Sequence, residues 1–380
     1  MQRTALVLAL SACSLSACVS DVGGDVPGAT ETTTSGSSAT TTGAGGSTVV
    51  GPTTMPDAVT STAGATSTGD EPPPAGTPTD PNLLVALVGD QGSGSNTRAV
   101  YRLIADEGAD MLLVLGDFDY DDDPDAWAAE MEDVLGDSFP VFAVVGNHDV
   151  EAWDGYQAKL QERLAKVPGA SCDGDLGVQS SCHYRGLHFL LSGFGTLAFG
   201  AGHEQWLADT LAADDSLWSL CAWHKNQRDL QAGDKGDEVT WQALRNCQDN
   251  AAIVVMGHEH SYARTRTLTD LGNAAAGHGA VGLPELMEVG NGRTFTACSG
   301  LGGASIRDYD PDLHDDDTWW STIYSGNYHR RDGEEVREFS VDYGVLFMRF
   351  HVGGDPAAAH GYFKNIQGEV LDEFDVLRTH

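Results

Sequence analysis

Leu83-Leu84-Val85-Ala86-Leu87-Val88-Gly89-Asp90-Gln91-Gly92 and Met111-Leu112-Leu113-Val114-Leu115-Gly116-Asp117-Phe118-Asp119-Tyr120 repeat one pattern: an apolar run, a glycine, then an aspartate. Runs of this length, bounded by glycine, read as strands. Val141 to Val145, Leu187 to Leu191, Leu217 to Ala222 and Ala252 to Met256 read the same way. Amphipathic stretches separate them. Ser95 or Asn96 is placed to cap a helix with Val100, Leu103 and Ile104 on one face, and a second helix carries Trp127, Met131, Val134 and Leu135. Further helices are expected near Ala152 to Lys166, Glu204 to Ala212 and Glu238 to Cys247. Alternation of this kind predicts an α/β sandwich. After Thr294 the signals are mostly strands, ending in a hairpin that joins Gly361 to Asn365 with Glu369 to Val376. With no internal repeat and no second break in composition, residues 81–380 read as one domain.

The two ends of the chain differ in kind. Met1 to Cys18 combine Arg3, the apolar run Ala5 to Leu10 and small residues before a cysteine, the layout of a secretory signal, and they are too short for a permanent span. Leu15-Ser16-Ala17-Cys18 resembles the lipobox of bacterial lipoproteins, which implies a lipid on the Cys18 thiol. Leu10-Ser11-Ala12-Cys13 has the same form; Cys18 is preferred because it leaves the longer apolar region, and an ordinary cleaved signal is the plainer alternative. Residues 19–80 are Thr, Ser, Gly and Pro with almost no large apolar side chains, so nothing offsets the entropy of ordering them. They read as a disordered tether, with a reach on the order of 45 Å for a flexible coil. The expected location is therefore exported and lipid-anchored in the bacterial cell envelope, periplasmic or at the surface.

Against 56 acidic residues stand 21 basic ones, a formal charge of −35, which disfavours nucleic acid as a partner and leaves the lipid anchor as the only expected membrane contact. Five cysteines lie beyond the signal, and export favours disulfides. Cys172 with Cys182 closes a short surface loop and is the first choice. Cys221 with Cys247 is the second, leaving Cys298 as a buried thiol.

Function is carried by the residues just past the strands, because ligands in α/β folds gather beyond the strands' carboxyl ends. Five apolar runs lead into residues able to hold metal: Gly89-Asp90-Gln91-Gly92, Gly116-Asp117-Phe118-Asp119-Tyr120, Gly146-Asn147-His148-Asp149, Cys221-Ala222-Trp223-His224 and Gly257-His258-Glu259-His260. Singly, each has an ordinary structural explanation: Asp after a strand caps helices, and His or Tyr packs in cores. Together, two aspartates, an asparagine, three histidines and a tyrosine at successive strand ends exceed what packing explains. Glycine beside four of the five blocks lets the chain turn a side chain into a crowded site.

The order of these blocks resembles the signature of the purple acid phosphatases, within the calcineurin-like metallophosphoesterases. The resemblance implies the four-layer αββα sandwich, two mixed sheets flanked by helices. It implies that Asp90, Tyr120 and His260 bind one metal, that Asn147, His224 and His258 bind another, and that Asp117 bridges them. Carboxylate and phenolate oxygens suit Fe(III), while imidazoles and an amide suit Zn, Mn or Fe(II). The general calcineurin-like pattern has histidine where this chain has Gly92, and Tyr120 fills that vacancy, which favours the purple subclass. The implied reaction is hydrolysis of a small phosphate monoester by attack of a metal-bound hydroxide. His148 is the candidate to protonate the leaving oxygen or stabilise charge, and Asp149 to support the site.

Some features depart from the family. Cys221 stands where valine is usual, and the histidine expected soon after the fourth block is missing; Lys225, Asn226, Gln227 and Arg228 stand there, so Lys225 or Arg228 is a candidate phosphate partner. The N-terminal β-sandwich of the larger plant-type members is replaced by the tether. Asp308 to Trp320 is expected at the pocket rim, with Asp315 to Asp317 facing water in preference to calcium, and His183, His188, His203 and His278 read as structural or surface residues. A phosphodiesterase or nucleotidase with the same metals, and a surface lipoprotein without catalysis, stand as alternatives.

Overall fold

The computed structural model describes residues 76–198, 201–236, 241–272 and 277–379; the signal, Cys13, Cys18 and the tether up to residue 75 lie outside the described residues. Strands β1 (Leu83–Val88), β2 (Met111–Val114) and β3 (Val141–Ala143) run parallel, with helix α1 (Ser95–Asp106) between the first two and α2 (Pro124–Leu135) between the second and third. Every residue of these strands is buried, as a parallel sheet covered on both faces requires. Helix α3 (Trp153–Leu164) comes next, then the edge hairpin β4 (Ser171–Asp175) and β5 (Gln179–Tyr184), with β6 (Leu187–Ser192) beside it. After these come α4 (Ala201–Ala213), β7 (Trp218–Trp223), α5 (Trp241–Asp249), β8 (Ala252–Met256) and β9 (Tyr262–Thr265). The remainder is β10 (Leu286–Val289), β11 (Thr296–Ser299), the short α6 (Pro311–His314), β12 (Trp320–Tyr324), β13 (His329–Arg331), β14 (Glu334–Glu335), β15 (Gly344–Phe350), β16 (Ala358–Asn365) and β17 (Val370–Arg378).

Two mixed sheets result, ordered β10-β17-β16-β15-β1-β2-β3 and β14-β13-β12-β9-β11-β8-β7-β6-β5-β4. Their facing sides share one core, in which Val85 and Phe347 of the first join Phe189, Leu220 and Val255 of the second. Outside the second sheet, Leu190, Cys221 and Val254 pack against Leu207 of α4 and Leu244 of α5. This is the expected sandwich of two sheets with flanking helices. No helix among the described residues is long and apolar enough to cross a membrane.

Both expected disulfides are present, Cys172–Cys182 across directly paired residues of the edge hairpin and Cys221–Cys247 from β7 to α5, and Cys298 is a buried free thiol. The expected cap of α1 needs correction. Gly94 occupies the N-cap with no side-chain bond, and its N–H donates to the Glu130 carboxylate, so a neighbouring helix supplies the acceptor expected from Ser95 or Asn96. Strand β2 also stops one residue before Leu115, whose carbonyl turns away to accept from His224. Asp317 does not simply face water: its carboxylate accepts from His314 and Trp320.

Candidate metal centre

Strands from both sheets meet at their carboxyl ends. β1 delivers Asp90, β2 delivers Asp117 and Tyr120, and β3 delivers Asn147 and His148; from the other sheet, β7 delivers His224 and β8 delivers His258 and His260. Turning these side chains inward forces unusual backbone. Asp90, Asp117, Tyr120 and His258 have φ of 58°, 54°, 64° and 70°, a left-handed region that costs a non-glycine residue about 1–3 kcal/mol. Glycine precedes three of them, Asp90, Asp117 and His258. At Gly116, with φ 86°, a Cβ would lie 2.5 Å from His224 Nδ1, and at Gly146 it would lie 2.2 Å from Asp117 Oδ1.

The donors fall into two groups. In the first, the Tyr120 hydroxyl lies 3.2 Å from Asp90 Oδ1 and 3.0 Å from His260 Nε2, which is itself 3.2 Å from Asp90 Oδ1. In the second, His224 Nε2 lies 3.2 Å from Asp117 Oδ2, 3.2 Å from Asn147 Oδ1 and 3.1 Å from His258 Nδ1. Asp117 belongs to both, since its charge also bears on the Tyr120 hydroxyl. All seven residues named from the sequence thus come together.

Outer partners aim the imidazoles. The Leu115 carbonyl, which can only accept, lies 2.7 Å from His224 Nδ1 and so fixes the proton there; Ser305 Oγ lies 2.5 Å from His260 Nδ1. That leaves the inner nitrogens facing oxygens and one another. Burial alone would lower the basicity of His224, yet Asp117 overrides it and pushes the pKa up to about 9. Burial likewise works to raise Asp117, and His224 with the His148 N–H holds it well below the usual carboxylate range. The Tyr120 phenol is pushed far up by burial and by Asp90 and Asp117, and His258 far down by burial and by His224. This field asks for positive charge between the groups. One proton on His224 Nε2 satisfies one of its three neighbours, whereas a cation satisfies them all, so the residues present fit metal ions.

Residues 83–262 match the calcineurin-like phosphoesterase family. That stretch is a calcineurin-like phosphoesterase domain. Its family acts on phosphate esters and generally uses two metal ions. No curated protein sequence matches the chain. Among solved structures, the domain is similar to GAP50, the anchor in the inner membrane complex of Plasmodium, at 14% identity over 79% of this chain and 90% of that one, with a TM-score of 0.49. It is also similar to PhoD, at 12% identity over 81% and 74% with a TM-score of 0.45. A predicted phosphoesterase of Streptococcus pneumoniae aligns at 10% identity over 77% and 98%, with a TM-score of 0.29.

Around the donors of the phosphoesterase domain, Asp149 is fully buried and accepts the backbone N–H groups of Asp117, Phe118 and Gly146 at 2.9, 2.8 and 2.6 Å. It therefore braces the strained turn at Asp117 and ties it to Gly146. Burial and the Asp117 charge push its own pKa up to about 7. His148 is exposed, with its ring 4.6 Å from that of Tyr120 and its N–H on Asp117 Oδ1. Lys225 is half-buried and near enough for its charge to reach His258; Arg228 turns its Nε to the Lys235 carbonyl.

Lys235, Ser305, Arg307 and Glu259 carry no signal in the sequence that marks them as site residues. Lys235 is half-buried beside the centre, where its charge reaches His258 and Glu259. A cavity of ≈ 400 Å³ is lined by Gly233, Glu259, Arg307 and Tyr309 among others, and the Arg307 N–H donates to the His260 carbonyl at 2.9 Å. Glu259 is 1% exposed with both carboxylate oxygens lacking hydrogen bonds among the described residues, and burial raises its pKa to about 7. In the sequence Glu259 is visible only as the spacer between two histidines. Lys235 and Arg307 belong to no motif, because loops from different parts of the chain bring them there. Of the stretch Asp308 to Trp320 expected at the rim, Asp308, Tyr309, Asp310 and Pro311 line this cavity, while Trp320 begins β12.

Proposed function

We propose that this protein is a binuclear metal phosphoesterase that hydrolyses small phosphate monoesters, exported and anchored through a lipid on Cys18. The observation that carries the catalytic reading is the pair of donor groups joined by Asp117. Asp90, Tyr120 and His260 would hold one metal ion, with hard oxygen donors suited to Fe(III), and Asn147, His224 and His258 the other, suited to Zn, Mn or Fe(II). When bound, such a pair supplies Lewis-acid activation of phosphate and of an attacking water.

The chain's own groups do the rest. Asp149 keeps the Asp117 and Gly146 turns in register, and Leu115 and Ser305 hold two imidazoles with their inner nitrogens free to bind. His148, exposed against Tyr120, is placed to give a proton to the leaving alcohol oxygen. Lys225 and Lys235 bring positive charge toward a phosphate in a chain whose net charge would otherwise repel it. The cavity beside Arg307 has room for the alcohol portion. Two disulfides support an oxidising compartment and hence export.

Metal analysis of purified protein, combined with hydrolysis rates on a phosphate monoester and a diester, tests this reading. Two metals per chain with faster monoester turnover is the expected result. Faster diester turnover would move the assignment to a phosphodiesterase or nucleotidase, and two bound metals with no turnover would leave a binding lipoprotein. Visible absorption that disappears in Tyr120→Phe is expected if Fe(III) occupies the first group.

A further inference from the structure

A second cluster of metal-binding side chains lies on the outer face of the ten-stranded sheet, far from the first. His183 of β5 and His188 of β6 are directly paired across antiparallel strands, on the face opposite Cys182 and Phe189, which enter the core between the sheets. Their rings stack at 4.6 Å with an interplanar angle of 9°. Asp214, just beyond α4, reaches between them: its Oδ2 lies 2.6 Å from His183 Nε2 and its Oδ1 lies 3.3 Å from His188 Nδ1. The three ligand atoms lie within 4.8 Å of one another.

Two of the three ligands, His188 and Asp214, have further partners that orient them. Ser181 Oγ lies 3.0 Å from the far nitrogen of His188, Ser219 Oγ lies 3.3 Å from its near one, and the Ser216 N–H donates to Asp214 Oδ1 at 2.8 Å. Such partners are what fix ring orientation at metal sites. A hydrogen-bonded triad needs one proton, between His183 and Asp214, and leaves His188 Nδ1 with only long contacts. We infer that His183, His188 and Asp214 form a separate binding site for a divalent transition ion of the zinc type.

Two imidazoles and one carboxylate are the donors zinc takes, whereas calcium or magnesium would call for oxygens alone. Ligand atoms around zinc sit about 3.3–3.5 Å apart, so loading widens the 2.6 Å contact between Asp214 and His183 and leaves the 3.3 Å contact to His188 near its present length. Side-chain exposure is 41% at His183, 14% at Asp214 and zero at His188, leaving an entry path and an outer position for water. The site is distinct from the candidate metal centre. His188 pairs with Ser219 near the start of β7, and His224 comes five residues later, about 16 Å along a strand.

Its consequence is structural. The β4–β5 hairpin is a sheet edge, and four of the five residues of β4 are exposed, so few apolar contacts hold it. A disulfide closes the hairpin on itself, and the cation would tie it to the connection between α4 and β7.

The test is zinc titration of the full chain after chelation, reading bound metal by mass spectrometry and Tm with and without zinc, for wild type, His183→Ala and Asp214→Asn. Each variant should bind one zinc fewer per chain and lose about 5 °C of the zinc-induced rise in Tm at a hundredfold excess over Kd, with phosphoester turnover within about twofold of wild type. The one-zinc difference is independent of whether the candidate metal centre loads. Equal zinc counts and equal zinc-induced rises in all three proteins would overturn the site and leave a hydrogen-bonded triad. Anomalous scattering from zinc-soaked wild-type crystals gives a readout that requires no variant to fold. A peak between His183, His188 and Asp214 is expected, and its absence would overturn the inference.

Discussion

Two clusters of buried charge sit in this sandwich and are balanced in opposite ways. Between the sheets, Asp372 of β17 accepts from Arg264 Nε and Nη2 at 2.7 and 2.9 Å, from the Tyr262 hydroxyl at 2.6 Å and from Thr322 Oγ1 at 2.8 Å. Both charged residues are fully buried, Arg264 lies over the Phe374 ring, and its remaining donors reach carbonyls such as that of Pro284. Every acceptor of that carboxylate meets a donor. At the strand ends around Asp90 and Asp117, by contrast, carboxylate, amide and imidazole lone pairs face one another across about 3 Å. One cluster carries its own counter-charge, and the other would be completed by the ions proposed above. Buried charge therefore marks a binding site only where donors are too few for the acceptors.

The sharpest break between the two should come from removing an aspartate in each. Asp117→Asn should lower phosphoester turnover by about 10³-fold or more, with loss of bound metal, and with only a smaller loss of stability in urea without added metal, where His224 gives up its counter-charge. Turnover within tenfold of wild type would remove Asp117 from its bridging position. Asp372→Asn should do the reverse. It strands the buried Arg264 guanidinium and should cost about 3–5 kcal/mol in urea unfolding, while the protein that remains folded keeps its metal content. An unchanged midpoint would show that the cluster between the sheets contributes little.

Asp149→Asn sharpens the comparison at an intermediate scale. It keeps the shape but replaces one acceptor of the Asp117, Phe118 and Gly146 N–H groups with a donor, and a 10–100-fold drop in metal affinity is expected by titration. The smallest effect concerns His203. It is buried on Ser192 Oγ at 2.8 Å, and burial lowers its pKa to about 4. The unfolded chain takes up that proton near pH 6.5 and the folded one near pH 4, so its neutral form supports stability fully above pH 6.5, and that support is lost as pH falls toward 4. His203→Gln should flatten the stability curve in that window, and a curve parallel to wild type would count against it.

Much of the centre was legible because four of its five strands end where a glycine turns the chain and the next polar residue enters the site. Asp90, Asp117, Asn147 and His258 obey that rule. His224 was legible without a glycine, from its place after the apolar run of β7. The neighbours that aim and surround these groups were hidden. Ser305, Lys235 and Arg307 sit in loops with no periodicity, and Arg264 looks like a misplaced charge until β17 lies opposite it. The cap of α1 was misread for the same reason, since its acceptor, Glu130, belongs to another helix.

By itself, the order of residues determined the sandwich class, the strand ends that bear ligands, the kinds of donor atom and the pairing of the disulfides, because apolar period, turn chemistry and side-chain type act over a few positions. Only the folded chain decided which lone pairs face each other, which charges are matched inside the protein and where a second trio of ligands meets. Those outcomes depend on distances between segments far apart in the chain, and such distances exist only once both sheets have packed.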